Sequence, residues 1–289
     1  MAEGMTAGVF FGTAAVLIRF LPDTNAFYIA FWRLVIASFA LVTILIVLRK
    51  PFSFDVVRKN LKDFVLLGFF LGLHFIFFVS AVKDTTILNA TVLVNTTPIF
   101  SIFVSAFAFK LKPSRFAIVG LSISFIGVCA IAYGEAATGK SPAYSPSIKG
   151  DVEAVLAALV ESFYLNFGRR IRNQMGILSI MLPVYLLSAA LVGVLGVATA
   201  RTIIEFPTET WIVIPLFGLG LIPTAVAHTL YFSSLSNLKS FETAAMAFLE
   251  PIGATILGIA FFQEIPAPLF AFGAALTLAG ILFIASRGE

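Results

Sequence analysis

Two stretches of this chain decide its fold: residues 98–132, PIFSIFVSAFAFKLKPSRFAIVGLSISFIGVCAIA, and residues 251–285, PIGATILGIAFFQEIPAPLFAFGAALTLAGILFIA. They align without a gap at an offset of 153 residues, which pairs Pro98 with Pro251, Pro113 with Pro266, Gly120 with Gly273, Gly127 with Gly280 and Ala132 with Ala285. Matching prolines and glycines in two apolar stretches predict a duplicated membrane protein. Five spans per half would insert the second half upside down relative to the first, as in secondary transporters.

The composition supports a membrane protein. The 289 residues are 60% hydrophobic and only 12% charged, and the mean hydropathy is +1.02. A soluble fold of this size does not need so much apolar surface, whereas each span of a bilayer needs roughly 20 mostly apolar residues. Cys129 is the single cysteine, so the chain forms no internal disulfide.

We predict an all-α integral membrane protein with ten transmembrane helices. The first five belong to one repeat, residues 1–133, and the last five belong to a second, residues 150–289. Residues 134–149, which contain Pro142 and Pro146, form an external linker. The predicted spans are Met5–Leu21, Asn25–Leu48, Asp63–Val82, Ile87–Phe109, Ser114–Tyr133, Gly150–Arg170, Gly176–Ala200, Trp211–Leu235, Lys239–Gln263 and Ala267–Ser286.

The basic residues indicate the orientation. Of the 19 Lys and Arg residues, thirteen fall on one side of the predicted membrane and four in the loops of the other side; Arg19 and Arg33 lie within spans. Basic loops face the cytoplasm, so both termini are predicted to be cytoplasmic. The thirteen are Arg49, Lys50, Arg58, Lys59, Lys62, Lys110, Lys112, Arg115, Arg169, Arg170, Arg172, Lys239 and Arg287.

Several function classes are disfavoured. Residues 134–141, GEAATGKS, match the letters of a phosphate-binding P-loop, but a membrane helix precedes them and Pro142 follows at once. A P-loop needs a strand before it and a helix after it, so we expect no nucleotide. The net charge of +4 lies mainly in the loops between spans, so no nucleic acid is expected. No cluster has metal-ligand spacing, and we predict no metal and no cofactor.

Polar residues near two prolines mark a candidate site. Glu250 lies near the middle of the ninth span beside Pro251, and Thr97 takes the equivalent place beside Pro98, with Asn95 close by. Each proline removes a helix hydrogen bond and predicts a kink. An acid inside a membrane is costly, so the presence of Glu250 leads to the hypothesis that this residue serves binding or proton coupling. The alternative is a structural acid that bonds to a neighbouring helix.

Further polar residues recur at helical spacing. Glu161 and Tyr164 share one face of the sixth span with Glu153, Ala157 and Gly168, and His228 and Tyr231 share a face of the eighth. His74 lies in the middle of the third span. These histidines either contribute to binding and proton relay or bond two helices together. Arg33, in the second span, is either a structural ion-pair partner of Glu153 or another acid, or a clamp for a substrate carboxylate.

These residues resemble the drug/metabolite transporter superfamily, EamA type. The likeness rests on Phe31-Trp32-Arg33 and on Phe248-Leu249-Glu250-Pro251-Ile252 followed by Gln263-Glu264. In the first half, Thr97-Pro98 lacks the acid and Lys110-Leu111-Lys112 replaces the usual Gly-Glu ending. The resemblance implies ten helices around a central cavity, alternating access between the repeats, and small-molecule substrates. Members include exporters of amino acids and other metabolites.

The leading hypothesis is therefore a secondary active transporter in the plasma membrane of a prokaryote, as a monomer or homodimer in the lipid bilayer. It would export a small amphipathic metabolite, such as an amino acid or a drug-like solute, with protons as a further partner through Glu250. An ion-uncoupled facilitator or channel, and a non-transporting membrane scaffold, remain alternatives. An enzyme is disfavoured, because no nucleophile, base and orienting group form a recognisable motif. The expected path residues are His74, Asn95, Thr97, Glu161, Tyr164, His228, Tyr231 and Glu250.

Overall fold

The computed structural model describes residues 1–50, 52, 54–85, 87–111, 113–137, 147–201, 205–262 and 268–287, and every regular element in these ranges is helical. A π-helical segment, Gly220–His228, joins α10 to α11, and one 3₁₀ turn, Ala247–Leu249, joins α12 to α13. The α-helices are α1 Ala2–Arg19, α2 Ala26–Val47, α3 Phe54–Lys59, α4 Leu61–Asp84, α5 Ile87–Val94, α6 Thr97–Ala108, α7 Arg115–Ala137, α8 Ile148–Arg172, α9 Ile177–Ala200, α10 Thr210–Leu219, α11 Thr229–Ser234, α12 Ser240–Met246, α13 Glu250–Phe262 and α14 Leu269–Arg287.

Several of these helices can cross a bilayer. The described residues contain five stretches that are long and apolar enough, which are Ala26–Val47, Leu61–Asp84, Asn89–Ala108, Ile177–Ala200 and Thr210–Ser234. Arg115–Ala130 and Leu269–Ile284 are shorter apolar helices. The expected spans at 5–21, 150–170 and 239–263 coincide with α1, α8 and the α12–α13 pair. By length and apolar character these three are not among the candidate membrane helices. The fold is that of a multi-pass helical membrane protein.

Two predicted helices are interrupted just before a proline. The helix expected at Ile87–Phe109 divides into α5 and α6 in front of Pro98, and the helix expected at Lys239–Gln263 has its 3₁₀ turn in front of Pro251. Proline has no N–H to donate and its ring clashes with the preceding turn, which explains both positions. The short helix α3 lies in the stretch 49–62, which the sequence predicted as a loop.

The two halves of the chain meet along α7 and α14. Ser124 Oγ donates to the Thr277 carbonyl oxygen at 3.1 Å, and Thr277 Oγ1 donates back to the Ser124 carbonyl oxygen at 3.4 Å. On either side of this pair the helix backbones approach at glycines: Gly120 faces Gly280, and Gly127 faces Gly273. Residue numbers rise along α7 as they fall along α14, so the two helices are antiparallel.

Other contacts between the halves come in matching pairs. α4 packs on α8, and α1 packs on the π-helical segment and α11. α1 packs on α13, while α6 packs on α8. In the repeat, α1, α4 and α6 of the first half correspond to α8, the segment from the π-helix to α11, and α13 of the second half. Replacing each helix by its counterpart turns the contact between α4 and α8 into the contact between α11 and α1. It likewise turns the contact between α1 and α13 into that between α8 and α6. Residues from both halves therefore surround the centre of the bundle.

The glycine pairs at Gly8/Gly12 and Gly68/Gly72 serve packing within the chain. Gly8 and Gly12 lie against the backbone of residues 246–254, and Gly68 and Gly72 lie against α9. Small residues allow membrane helices to approach this closely.

The loops gather at two opposite ends of the bundle. At one end Lys83 donates to the carbonyl oxygens of Leu21 and Pro22, at 3.1 and 2.6 Å, and Lys149 pairs with Asp84 at 2.7 Å. At the other end Arg172 donates to Ser233. The contacts of Lys149 and Arg172 lie at the two ends of α8, which runs from Ile148 to Arg172. Most of the predicted linker 134–149, with the GKS letters of the P-loop-like stretch, and the Gln263-Glu264 pair lie outside the described residues.

Candidate functional site

A small cavity of about 30 Å³ lies in the centre of the bundle. A buried water needs about 10–15 Å³ on this measure, so the cavity has room for roughly two water molecules. Its lining residues come from both halves of the chain: Phe11, Ala14, Arg33, His74, Phe75, Phe78, Val94, Asn95, Glu161, His228, Ala247 and Glu250.

The structure brings together the polar residues that the sequence singled out. Six of them line the cavity, and Thr97, Tyr164 and Tyr231 lie buried behind the lining. Even the charged ones are almost fully buried, with Arg33 only 1% exposed and Glu250 5% exposed. The six lining residues are Arg33, His74, Asn95, Glu161, His228 and Glu250.

Glu161 is fixed by a hydroxyl group and lies next to a histidine. Thr97, the first residue of α6, donates from Oγ1 to Glu161 Oε2 at 3.0 Å and also contacts the carbonyl oxygen of Val94 at 2.8 Å. His74 Nδ1 lies 3.8 Å from Glu161 Oε2. The break between α5 and α6 thus places a polar side chain against the acid of α8.

The two histidines lie side by side. Their ring centroids are 5.8 Å apart, and the His228 ring also packs at 4.7 Å against Phe11 and at 4.8 Å against Phe75. His74 Nδ1 is 3.2 Å from the carbonyl oxygen of Ala157. A carbonyl oxygen only accepts, so His74 carries a proton on Nδ1. His228 Nδ1 has no partner in the described part of the chain.

Glu250 is the first residue of α13 and follows the 3₁₀ turn directly. Its side chain lines the cavity together with Asn95 and Glu161 and lies within electrostatic range of Glu161 and Arg33. Asn95 donates from Nδ2 to the Thr91 carbonyl oxygen at 2.6 Å, and its Oδ1 has no partner among the described residues. Two carboxyl groups and an amide therefore face the cavity.

Arg33 does not pair with Glu153. Glu153 lies at the far end of α8, with its Oε1 3.9 Å from Lys149 Nζ. The Arg33 Nε donates instead to Thr224 Oγ1 at 2.9 Å, and the guanidinium carbon lies 4.1 Å from the centroid of the Phe75 ring. Among the described residues no acid lies at ion-pair distance from Arg33. The long guanidinium reaches across to the π-helical segment because α2 packs directly on that segment.

The two predicted tyrosines are buried outside the cavity lining, and in the described part of the chain only the ring of Tyr231 packs on a ring of the lining. Tyr164 OH contacts Met181 Sδ at 3.6 Å, and the Tyr164 ring packs on Phe232 at 5.3 Å. The Tyr231 ring packs edge-on against Phe11 at 5.1 Å, and its hydroxyl has no hydrogen-bond partner in the described ranges.

The sequence analysis missed several residues. Thr224 shares a face of the eighth span with His228. Only the structure shows that its hydroxyl accepts a hydrogen bond from Arg33. Phe11, Phe75 and Phe78 could not be separated from the 32 phenylalanines of the chain. Asn166 lies on a different face of the sixth span from Glu161 and Tyr164, so the helical spacing did not indicate it. It donates to Ser101 Oγ at 2.9 Å and accepts from Ser105 Oγ at 2.6 Å.

The site combines a fixed cation, two acids and phenyl walls. Such a lining is suited to a solute with charged and apolar parts. The described residues contain no group of three or more His, Cys, Asp or Glu side chains placed to hold a metal ion.

Comparison with known proteins gives a consistent result. The family model described as the EamA-like transporter family matches residues 3–133 and 148–286. "Uncharacterized transporter YdfC" of Bacillus subtilis (strain 168) is 26% identical over 97% of this chain and 87% of its own length. An "Uncharacterized transporter" of Archaeoglobus fulgidus is 26% identical over 92% of this chain and 90% of its own length. One protein of known crystal structure superposes with a TM-score of 0.79 at 17% identity, over 100% of this chain and 98% of its own.

Proposed function

The chain belongs to the EamA-like transporter family, and we propose that it is a secondary active transporter of a small amphipathic metabolite. One observation carries this proposal. A single buried cavity receives Arg33 and His74 from the first half of the chain and Glu161, His228 and Glu250 from the second. Ionisable groups inside a membrane protein are expensive and mark solute or proton paths.

We propose ten membrane spans in two inverted repeats, with both termini in the cytoplasm. The antiparallel pair α7 and α14 supports this arrangement, because residues 153 positions apart meet there reciprocally. A two-fold axis through an antiparallel helix pair runs perpendicular to the helices, and so in the plane of the membrane. The two ranges matched by the family model agree with repeats of 1–133 and 150–289 joined by an external linker.

The solute we propose is an amino acid or a drug-like compound of similar character. Arg33 supplies positive charge, Glu161 and Glu250 supply negative charge, and Phe11, Phe75 and Phe78 supply apolar surface. Opposite charges in one small cavity favour a solute that carries both polar and apolar groups. Export is the proposed direction, following the resemblance to exporters of amino acids and other metabolites.

Alternating access is the proposed mechanism. The cavity holds only about two water molecules, so a metabolite enters only when the helices around it move apart. Because the lining comes from both halves, relative motion of the halves opens the cavity to either side. We propose that the protein acts as a monomer or a homodimer.

Glu250 is the proposed proton-coupling residue. It is buried, lines the cavity beside Asn95 and lies within electrostatic range of Arg33. A carboxyl group in this place can hold a proton in one state of the transport cycle and release it in another. The plasma membrane of a prokaryote is the proposed location, since the similar proteins come from a bacterium and an archaeon.

The alternatives predict different behaviour. A facilitator or channel would equilibrate its solute without coupling to an ion, and a scaffold would bind no solute in the cavity. An enzyme would convert its solute, whereas the similar proteins named in the comparisons are all called transporters.

The proposal is tested first by ligand-dependent stability. The purified protein is melted with amino acids, amines, nucleosides and sugar derivatives, and Glu250→Gln is melted in parallel. A ligand that binds only the folded state raises the melting temperature. Glu209→Gln, at an exposed residue outside the cavity, is the matched control. A hit that Glu250→Gln weakens and Glu209→Gln keeps supports the site.

Ligands from this screen are then carried into flux measurements in proteoliposomes. We expect transport to follow an imposed pH gradient in the wild type and to lose that dependence in Glu250→Gln. Unchanged dependence on pH in Glu250→Gln would exclude Glu250 as the coupling residue.

A further inference from the structure

Arg33 is held in place by neutral groups. Thr224 Oγ1 accepts from Arg33 Nε at 2.9 Å, and the Phe75 ring lies 4.1 Å from the guanidinium carbon. A guanidinium group stays charged at any physiological pH. The contacts therefore fix the position of the cation without neutralising it.

Thr224 is itself held on two sides. It lies in the π-helical segment Gly220–His228 and contacts the carbonyl oxygen of Leu219 at 2.6 Å through its hydroxyl. Tyr185 OH donates to the Thr224 carbonyl oxygen at 2.7 Å and lies 3.2 Å from Thr229 Oγ1. Such wide helical turns occur most often at functional sites. Thr224, which accepts the hydrogen bond from Arg33, lies within this π-helical segment.

The guanidinium group retains donor capacity at the cavity. Arg33 Nη1 is buried and has no hydrogen-bond partner within the described ranges. Of the two acids that share the cavity, Glu161 accepts from Thr97, and among the described residues neither acid lies at ion-pair distance from Arg33. Glu250 lies within electrostatic range of the guanidinium group but does not bond to it. A buried cation without a directly bonded anion is costly, and a solute anion would relieve that cost.

We propose that Arg33 is the carboxylate-binding group of the cavity and that Thr224 is the residue that positions it. The transported solute then carries a carboxylate, since the planar fork of a guanidinium matches that group. This inference rests on the proposed transport function and names one chemical requirement of its substrate. Phe11, Phe75 and Phe78 lie around the cavity and accommodate an apolar group attached to the carboxylate.

The test compares three probes that differ only at the carboxylate. L-phenylalanine has it, L-phenylalaninamide has a neutral amide instead, and phenethylamine lacks the group. Binding to the full-length protein is measured through ligand-dependent melting curves. A charge-assisted hydrogen bond in a buried site corresponds to a preference of on the order of 10- to 100-fold. We expect L-phenylalanine to bind more tightly than either other probe by that factor.

Variants separate positioning from folding. Thr224→Val has nearly the same shape and removes the hydroxyl, so the preference should fall close to 1, and Thr224→Ser should restore it. Arg33→Lys keeps the charge but loses the fork, so part of the preference should remain. Melting temperatures without ligand show whether each variant folds. If Thr224→Val fails to fold, Tyr185→Phe weakens the same support and should reduce the preference more mildly.

Each outcome has a defined meaning. Equal binding of all three probes overturns the carboxylate site while leaving the cavity a solute site. A preference that survives unchanged in Thr224→Val overturns the positioning role of Thr224. No stabilisation by any of the three probes also overturns the carboxylate site. The proposed function is judged separately, by screening solutes without a carboxylate and by flux measurements.

Discussion

Ser124 and Thr277, which stand 153 positions apart in the chain, donate hydroxyl hydrogen bonds to each other's carbonyl oxygens at 3.1 and 3.4 Å. Ser124 and Thr277 occupy equivalent positions in the two repeats, and they contact each other directly. Contact between equivalent residues is what a two-fold axis produces when it passes between them. Because α7 and α14 are antiparallel, that axis lies across the helices, as an inverted repeat requires.

The close approach of α7 and α14 gives a stability prediction. A Cβ atom on Gly127 would lie 2.5 Å from Thr277 Oγ1 and 2.6 Å from the carbonyl oxygen of Gly273. We expect Gly127→Ala to lower the free energy of unfolding by about 1–3 kcal/mol, the usual cost of overpacking. Thermal unfolding of the purified protein in detergent measures the change.

Gly176 offers a matched control, because a Cβ atom there meets nothing within 4 Å. Gly176→Ala should cost less than about 1 kcal/mol. Equal losses for the two variants would mean that the glycine contact between α7 and α14 is not a tight one.

The proposed orientation predicts which loops are reachable from outside the cell. Asp23 and Thr208 lie in loops of one end of the bundle and Gln174 and Asn237 in loops of the other, and all four are exposed. In a Cys129→Ser background, single cysteines at 23 and 208 should react with a membrane-impermeant thiol reagent in intact cells. Cysteines at 174 and 237 should react only after the membrane is opened. The opposite result would reverse the orientation, and reaction of all four in intact cells would contradict the ten-span topology.

The contact between Thr97 and Glu161 predicts a loss of both stability and binding. Thr97→Val removes the hydroxyl that donates to the buried acid at 3.0 Å. An unsatisfied buried polar group costs about 1–3 kcal/mol, so the variant should melt earlier and bind solute more weakly. Thr97→Ser should recover most of the loss. Melting curves with and without a ligand found by screening measure both effects.

Thr199→Val is the control for this substitution. Thr199 is exposed on α9 and bonds only within its own helix, to the Leu195 carbonyl oxygen. The Thr199→Val variant should have the same melting temperature as the wild type. If Thr97→Val also behaves like the wild type, the hydrogen bond to Glu161 contributes nothing to the site.

The buried contact between Asn166 and Ser105 joins α8 to α6 at 2.6 Å. A double-mutant cycle with Asn166→Ala and Ser105→Ala should give a coupling energy of about 0.6 kcal/mol, and at most about 1.7, as found between membrane helices. Unfolding free energies of the two single variants and the double variant supply the number. Strictly additive effects would show that the hydrogen bond is not maintained in the membrane.

Much of the fold was predictable because hydropathy and proline positions are local signals. The family resemblance and the multi-pass helical character are confirmed. Helix interruptions occur just before Pro98 and Pro251, the positions at which the sequence predicted kinks. The helix α3 was missed, because six residues in a basic stretch carry too weak a periodic pattern.

The polar residues around the cavity were conspicuous in the sequence, but their contacts could not be predicted. A polar side chain inside an apolar span is conspicuous, so Glu161, His228 and Glu250 stood out. Which side chains meet depends on packing between distant segments. The partner of Arg33 is Thr224, 191 residues away, and no local pattern distinguishes it from Glu153. Whether these residues carry solute remains a prediction.

Counterflow tests the central claim most directly. Proteoliposomes that contain the purified protein are loaded with unlabelled amino acids and placed in a trace of the same amino acids in labelled form. A carrier that alternates between two states should accumulate the label transiently above its equilibrium level, and protein-free liposomes should not. Uptake that only equilibrates, or no uptake beyond that of protein-free liposomes, would contradict the account of an alternating-access transporter with its site at this cavity.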